Sequence, residues 1–238
     1  SVNLSLILRV RRLHMRFIMQ PEHGCVKCRL RRRKYSEHLS MYRNSIIYMA
    51  AGSGRRFGSN KLLYEFKEKP LYRHALDKII EYVSVRPDTE LIVVTRYDEI
   101  CEYVKQYICS NIIISYSPQS VKGISYTIHN GISAADNASD GFYFFVTADQ
   151  PCLRIDTLDG LIKAMQSGKY ICGRVKSHGM PGNPTAFSHK LRDELMMLAG
   201  DEGGRKIIKA HMDLCLEYET EDERETADID VVEDIGLL

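Results

Sequence analysis

The sequence predicts an α/β protein organised on a mainly parallel sheet. Short apolar, β-branched runs alternate with stretches whose apolar residues recur at helical spacing, at intervals of roughly 25–35 residues, as stacked βαβ units require. The first run, Ile46 to Ala51, passes straight into a glycine-rich, cationic loop, and the run Phe142 to Thr147 ends almost directly in Asp149. Ligands of such sheets sit beyond the carboxyl ends of the strands, so both features are expected on one rim.

Taken in order, Ile46 to Ala51 has the length and branching of a buried strand. LLYEFKEKPL reads as a short extended piece ending at Pro70. Leu71, Ala75, Leu76, Ile79, Ile80 and Val83 then fall on one helical face. Thr89 to Thr95 is a second buried strand, and Asp98 reads as the N-cap of a helix reaching Tyr107. Ile112 to Tyr116 is a third strand, followed by the helix GISYTIHNGISAA with Gly123 near its start. Phe142 to Thr147 is a fourth strand and Ile155 to Met165 a helix. Strands are expected at Tyr170 to Val175 and Thr185 to Phe187, with Gly179, Pro181, Gly182 and Pro184 making a sharply turned loop ahead of the second. Helices at Lys190 to Leu198 and Gly204 to Ala210 and a strand at Leu214 to Tyr218 complete the series. Residues 45–238 contain no internal repeat or low-complexity segment.

A length of 238 residues suits one domain, or a domain with an appendage. Hydrophobic residues make up 44% and charged residues 27%, enough apolar side chain for a full core. No apolar run approaches the roughly 18–20 residues a membrane span needs, so no membrane association is expected. The net charge of +2 hides an asymmetry. Residues 1–44 carry eleven Lys/Arg against two Glu, while the remainder carries 22 basic and 29 acidic groups.

The basic segment 1–44 reads as an N-terminal extension that packs poorly, and residues 45–238 as a single domain. Its arginines would suit a nucleic-acid or membrane-surface arm, or a transit-like leader. Non-native or upstream sequence ahead of a start at Met41 is the favoured reading, because the domain's first strand follows at once, and no nucleic-acid partner is expected. Cys101, Cys109, Cys152, Cys172 and Cys215 are scattered through apolar or helical contexts, as in a cytoplasmic protein with reduced thiols. Cys25 and Cys28 form a lone C-x-x-C, which with His23 and His38 nearby falls short of the paired spacing of structural zinc sites.

The chemistry concentrates in IIYMAAGSGRRFGSNK, Ile46 to Lys61. Gly52, Gly54 and Gly58 let backbone N–H groups approach a ligand, and Arg55, Arg56 and Lys61 supply fixed positive charge. Phosphate is the natural partner, although a βα turn with solvated charges has the same composition. The spacing excludes a P-loop, because Lys61 precedes Leu62 rather than a hydroxyl residue. It also excludes a dinucleotide fingerprint, because the glycines run G-x-G-x-x-x-G.

Asp149 is a magnesium ligand by position, or equally a helix N-cap. Asp228 and Asp230 face one side of an extended tail and would join Asp149 if the tail reaches the rim; a solvated acidic tail reads as well. Gly123 and Ser125 sit at a helix start, where anions or base edges are taken. Gly182, Asn183 and Pro184 could admit a second substrate or form a tight connection, and Arg205 follows two glycines, suiting anion contact or helix capping.

In register, these segments resemble the MobA-like NTP transferases. MAAGSGRRFGSNK is similar to the family's L-A-A/G-G-x-S-x-R-M-G-x-x-K signature, and TADQPCL to its metal-aspartate motif. PGNPTAFS and GDEGGRKII resemble segments of the molybdenum cofactor cytidylyltransferase branch, and DIDVVEDI its D-I-D-T-x-E-D ending. The likeness covers residues 45–238. Met49, Phe57, Tyr126 and the pair Val231-Val232 depart from the pattern.

The resemblance implies a three-layer α/β/α sandwich of the nucleotide-diphospho-sugar transferase-like, Rossmann-like kind. It also implies a Mg2+-dependent nucleotidyltransferase (EC 2.7.7 type) that moves NMP from an NTP, CTP by preference, to the phosphate of molybdopterin or molybdenum cofactor. Pyrophosphate would be released and the product handed to an apo-molybdenum hydroxylase. On this reading Ala50, Ala51, Gly52, Ser53, Gly54, Arg56, Lys61, Gly123 and Ser125 bind the nucleotide. Arg56, Lys61 and Asp149 are catalytic, Asp149 and Asp230 hold the metal, and Gly182, Asn183, Pro184 and Arg205 bind the acceptor. The alternatives are a related transferase using GTP or a sugar phosphate, and a non-catalytic cofactor chaperone.

Overall fold

The computed structural model describes residues 43–52, 60–136 and 140–229. Seven strands form its main sheet in the order β5-β4-β1-β6-β8-β7-β9. These are β1 (Asn44–Ala50), β4 (Thr89–Thr95), β5 (Ile112–Tyr116), β6 (Phe142–Thr147), β7 (Cys172–Ser177), β8 (Met180–Ser188) and β9 (Cys215–Thr220). The chain winds outward from β1 through β4 to β5, then returns to lay β6 on the other side of β1. Neighbouring strands thus leave in opposite directions at the gap between β1 and β6, which opens a crevice at their carboxyl ends.

Strands β1 and β4 read as nearly unbroken apolar runs because helices cover both of their faces. Alternate residues serve opposite layers. Ile46, Tyr48, Leu91, Val93, Phe144 and Val146 pack against α1 (Arg73–Ser84), α2 (Asp98–Lys105) and α4 (Ile155–Met165). Ile47, Ile92, Val94, Tyr143 and Phe145 pack against α3 (Ile124–Ala134), α5 (Arg192–Met196) and α6 (Arg205–Ala210). The result is the expected α/β/α sandwich. Each fully buried aliphatic side chain contributes about 1.5–3 kcal/mol, so β1 and β4 anchor both layers at once.

Several boundaries differ from expectation. Between β1 and α1, Lys61–Leu63 form a 3-10 turn, and β2 (Glu65–Phe66) and β3 (Lys69–Pro70) a short hairpin, where one extended piece was expected. Asp98 is the first residue of α2, not its cap; Tyr97 occupies the cap position and makes no side-chain capping bond. The predicted loop ahead of Thr185 is largely strand. Only His178 and Gly179, both at positive φ, make the turn between β7 and β8. Strand β8 then runs from Met180, antiparallel to both neighbours.

The glycine- and proline-rich stretch is a bulge. Arg174 pairs with Thr185 but Lys176 pairs with Pro181, so Gly182, Asn183 and Pro184 are accommodated opposite one residue of β7. Two prolines are tolerated there because β6 pairs only with Thr185 to Ser188, leaving this part of β8 free of a second ladder.

Helix α3 lies close against β1 because Gly131 faces the sheet. An added Cβ would sit 2.4 Å from Cγ2 of the fully buried Ile47. Gly131→Ala is therefore expected to destabilise the protein by about 1–3 kcal/mol through overpacking, despite alanine's helix preference of about 1 kcal/mol. A urea-unfolding midpoint equal to or above wild type would show that the core yields freely at this point.

Candidate functional site

The crevice between β1 and β6 forms a cleft of about 260 Å³ at the carboxyl rim of the sheet. One wall comes from Met49, Ala51 and Gly52 at the exit of β1 and from Thr147, Ala148 and Asp149 at the exit of β6. Lys61 and Leu62 close one end, and Ser120, Gly123, Ile124, Thr127 and Asp201 face them. An added Cβ on Gly52 meets nothing within 4 Å. No packing demand among the described residues explains that glycine, and a ligand approaching the backbone would.

Lys61 and Asp149, 88 positions apart in sequence, meet in this cleft with Nζ donating to Oδ2 at 2.7 Å. Lys61 is largely buried, and Asn60 starts its 3-10 turn by accepting from the Leu62 N–H. The same ammonium donates to the Ile229 carbonyl at 2.9 Å, while the Ile229 N–H donates to the Asp149 carbonyl at 3.1 Å. The carboxyl-terminal segment is thus bound to both charged residues. Ile229 is held there by its apolar contacts with Phe66 and Leu71, and upstream the Gln150 amide donates to the Thr226 carbonyl.

Beneath the pair, the buried Tyr48 phenol donates to the Tyr72 carbonyl at 2.6 Å. Burial and then the Asp149 charge push its pKa well above the usual value, so it remains neutral. Lys78 reaches the Leu153 carbonyl at 2.7 Å and steadies the turn after Asp149.

Oδ1 of Asp149 and the Thr147 hydroxyl are buried with no hydrogen-bond partner among the described residues. An unsatisfied carboxylate oxygen costs free energy that a hard cation or its bound water would recover, so the donor chemistry fits a divalent metal. Among the described residues, no three His, Cys, Asp or Glu side chains converge on such a site. Asp230, the other expected ligand, follows Ile229 and lies outside the described residues.

A buried hydroxyl chain shapes the opposite wall. The Asn130 amide donates to Ser117, Ser117 and Ser120 share a 2.7 Å bond, and Thr127 donates to Ser120. Ser117 is fully buried, and in its bond with Ser120 either hydroxyl can donate. Ser120, which also accepts from Thr127, lines the cleft.

Of the nucleotide residues expected from sequence, Ala51, Gly52, Lys61 and Gly123 line the cleft with Asp149, while Ala50 is the last residue of β1 and does not line it. Ser53, Gly54 and Arg56 lie outside the described residues. Ser125 is buried behind Gly123 and donates its N–H to Gly200. Gly182, Asn183 and Pro184 sit in the β8 bulge and Arg205 begins α6; none of the four lines the cleft. Gly182 packs on Thr226, where an added Cβ would come within 2.8 Å. Sequence reasoning gave no role to Ser120, Thr127 or Asp201, although Asp201 lies within the GDEGGRKII segment. For Ser120 and Thr127 the advance signal was the serine and threonine content around Gly123.

A glycine exit and a lysine–aspartate pair thus meet at a switch-point crevice of a mostly parallel sheet, the place where α/β proteins bind their ligands. More narrowly, the chain belongs to the MobA-like NTP transferase domain family, which matches residues 46–215. It is similar to the purine catabolism protein PucB of Bacillus subtilis, with 24% identity over 206 residues, 81% of this chain and 94% of that protein. It is also similar to the 2-C-methyl-D-erythritol 4-phosphate cytidylyltransferase of Clostridium botulinum (strain Loch Maree / Type A3). There the identity is 29% over 143 residues, covering 56% of this chain and 58% of that protein, so the chain spans little more than half of that relative's length.

Among solved structures, Rv0371c from Mycobacterium tuberculosis superposes with a TM-score of 0.66 at 18% identity, covering 83% of this chain and 97% of that one. Its complex with manganese gives 0.61 at 18% identity, over 82% and 97% of the two chains. Molybdopterin-guanine dinucleotide biosynthesis protein A from Archaeoglobus fulgidus gives 0.56 at 18% identity, over 82% and 95%. These likenesses establish the fold as nucleotide-diphospho-sugar transferase-like.

The ion pair is expected to couple energetically. A double-mutant cycle with Lys61→Met and Asp149→Asn should give an interaction energy of about 0.5–3 kcal/mol by denaturant unfolding. Strict additivity of the two substitutions would mean that the contact does not hold the rim together.

Proposed function

We propose that the protein transfers a nucleoside monophosphate, CMP by preference, from an NTP to the phosphate of molybdopterin or molybdenum cofactor, with release of pyrophosphate. The observation that carries this reading is the Lys61–Asp149 pair beside Gly52, with the second Asp149 oxygen buried and without a partner among the described residues. Phosphoryl transfer asks little covalent chemistry of a protein and depends on positioning and charge. A cation, backbone donors and an open carboxylate oxygen in one crevice are suited to that.

In this reading the backbone of Ala51, Gly52 and Gly54 receives the base and phosphates. Lys61 and Arg56 neutralise the triphosphate and the pyrophosphate that leaves as the bond between the α-phosphorus and its bridging oxygen breaks. The attacking group is an oxygen of the acceptor phosphate, which forms the new bond to the α-phosphorus in line with the departing one. Asp149, with Asp230, would hold Mg2+, which when bound neutralises phosphate charge. Lys61 would leave Asp149 for the phosphates as substrate enters, because a polyanion competes directly for the ammonium.

The cytidylyl preference is supported by Ala51 ahead of Gly52 and by the name of the Clostridium relative. That name also favours a second reading, a polyol or sugar phosphate as acceptor. The acceptor would enter past the β8 bulge at Gly182 to Pro184, with Arg205 as an anion contact, and the product would pass to an apo-molybdenum hydroxylase.

The deciding assay measures pyrophosphate release from each of the four NTPs with Mg2+, with and without molybdopterin. Molybdopterin-dependent release with CTP is expected. Release with a polyol phosphate alone would favour the second reading, and no release with any NTP would leave a cofactor chaperone. Lys61→Ala and Asp149→Ala are each expected to lose most of the activity while remaining folded by circular dichroism. Turnover close to wild type in either would remove that residue from the mechanism.

A further inference from the structure

We propose that Arg96 and Tyr97, at the exit of β4, are positioning residues that turn the carbonyl oxygens of Ala51 and Gly52 away from the cleft and leave a donor-rich face toward a polyphosphate. The inference rests on reading this rim as a nucleoside triphosphate site. Neither residue belongs to the glycine loop, and neither lines the cleft.

The backbone leaving β1 carries three successive carbonyls, and each is taken up by a side chain from the exit of β4. Thr95 Oγ1 donates to the Ala50 carbonyl at 2.9 Å. The Arg96 Nε–H donates to the Ala51 carbonyl at 3.1 Å, and the Tyr97 hydroxyl donates to the Gly52 carbonyl at 2.5 Å. Within a planar peptide the C=O and the following N–H point in opposite directions. Holding the carbonyls of Ala50 and Ala51 on the β4 side therefore fixes the amides of Ala51 and Gly52 on the other. Carbonyl oxygens left to rotate would present negative dipole ends to a polyanion.

Arg96 and Tyr97 act together. The Arg96 Nη2–H donates to the Tyr97 hydroxyl at 2.7 Å, and the guanidinium lies over the phenol ring at 4.6 Å from its centroid. One cation thus acts on Ala51 directly and on Gly52 through a hydroxyl that it polarises, a chain in which each bond strengthens the next. Adjacent side chains of an extended strand point to opposite sides, so this cooperation needs a turn. It is supplied by the Tyr97 N–H, which donates back to Thr95 Oγ1 at 3.1 Å. An arginine also serves two acceptors from one rigid fork, which a lysine cannot do.

The test is calorimetric titration of wild type, Tyr97→Phe, Arg96→Met and Arg96→Lys with each of the four NTPs in the presence of Mg2+. For the NTP that wild type binds best, Tyr97→Phe is expected to weaken affinity roughly 3- to 10-fold and Arg96→Met roughly 10- to 100-fold. Arg96→Lys should fall close to Arg96→Met. Tyr97→Phe should melt within about 3 °C of wild type, and acceptor affinity measured on its nucleotide-saturated form should be unchanged. Wild-type affinity in Tyr97→Phe and Arg96→Met would overturn the proposal alone. Full rescue by Arg96→Lys would overturn it too, because charge without the fork would then suffice. Should Arg96→Met fail to fold, Tyr97→Phe decides the matter. A wild-type protein that binds no NTP would overturn the nucleotide reading itself.

Discussion

The contact between Lys61 and Asp149 ties together parts of the chain that share no local structure. Lys61 belongs to the segment after β1, Asp149 to the exit of β6, and Ile229 to the stretch beyond β9. Parallel neighbours such as β1 and β6 cannot be joined by a tight turn, so their carboxyl ends diverge into loops with no ladder to hold them. The ammonium supplies that missing bond. It is charge-assisted and screened from solvent, so it holds more firmly than a pair at the surface would.

The rest of the site can be read as support for that contact. Tyr48 beneath it stays neutral and bonded to Tyr72, and Lys78 fixes the turn after Asp149. Gln150 draws in Thr226, and Glu225 takes the Arg154 N–H at 3.0 Å and the Thr220 hydroxyl at 2.6 Å. Polar groups that would otherwise be buried unsatisfied are therefore spent on joining the tail to the β6 exit. Across the cleft, Gly123 touches the backbone of Gly200 so closely that an added Cβ would lie 2.1 Å from its carbonyl oxygen. The two walls are built differently: one is held by charge, the other by direct backbone contact.

Much of this was legible in the sequence, for reasons particular to each element. Thr89–Thr95, Ile112–Tyr116, Phe142–Thr147 and Ile155–Met165 have the boundaries expected, because central parallel strands and amphipathic helices leave strong local patterns. Asp149 was legible because a carboxylate just past a buried strand is conspicuous. Its pairing with Lys61 was not, since contacts across 88 positions leave no periodicity. Pairing register is also non-local, which is why Gly182 to Pro184 read as a loop although they bulge from a paired strand. Arg96 and Tyr97 escaped notice because side chains that bind carbonyls carry no spacing rule. Tyr97 in place of Asp98 at the cap of α2 belongs with them: its ring and hydroxyl are committed to the β1 exit rather than to the helix.

Ile229 lies 168 positions from the lysine it receives. A growing chain can therefore complete every strand of the sheet while this contact is still missing. The contact can form only after Ile229 has left the ribosome, since so distant a loop closes late. A translation product interrupted after β9 would hold a finished scaffold around an unfinished grip. The backbone of a single isoleucine thus makes the segment that follows β9 a condition of competence.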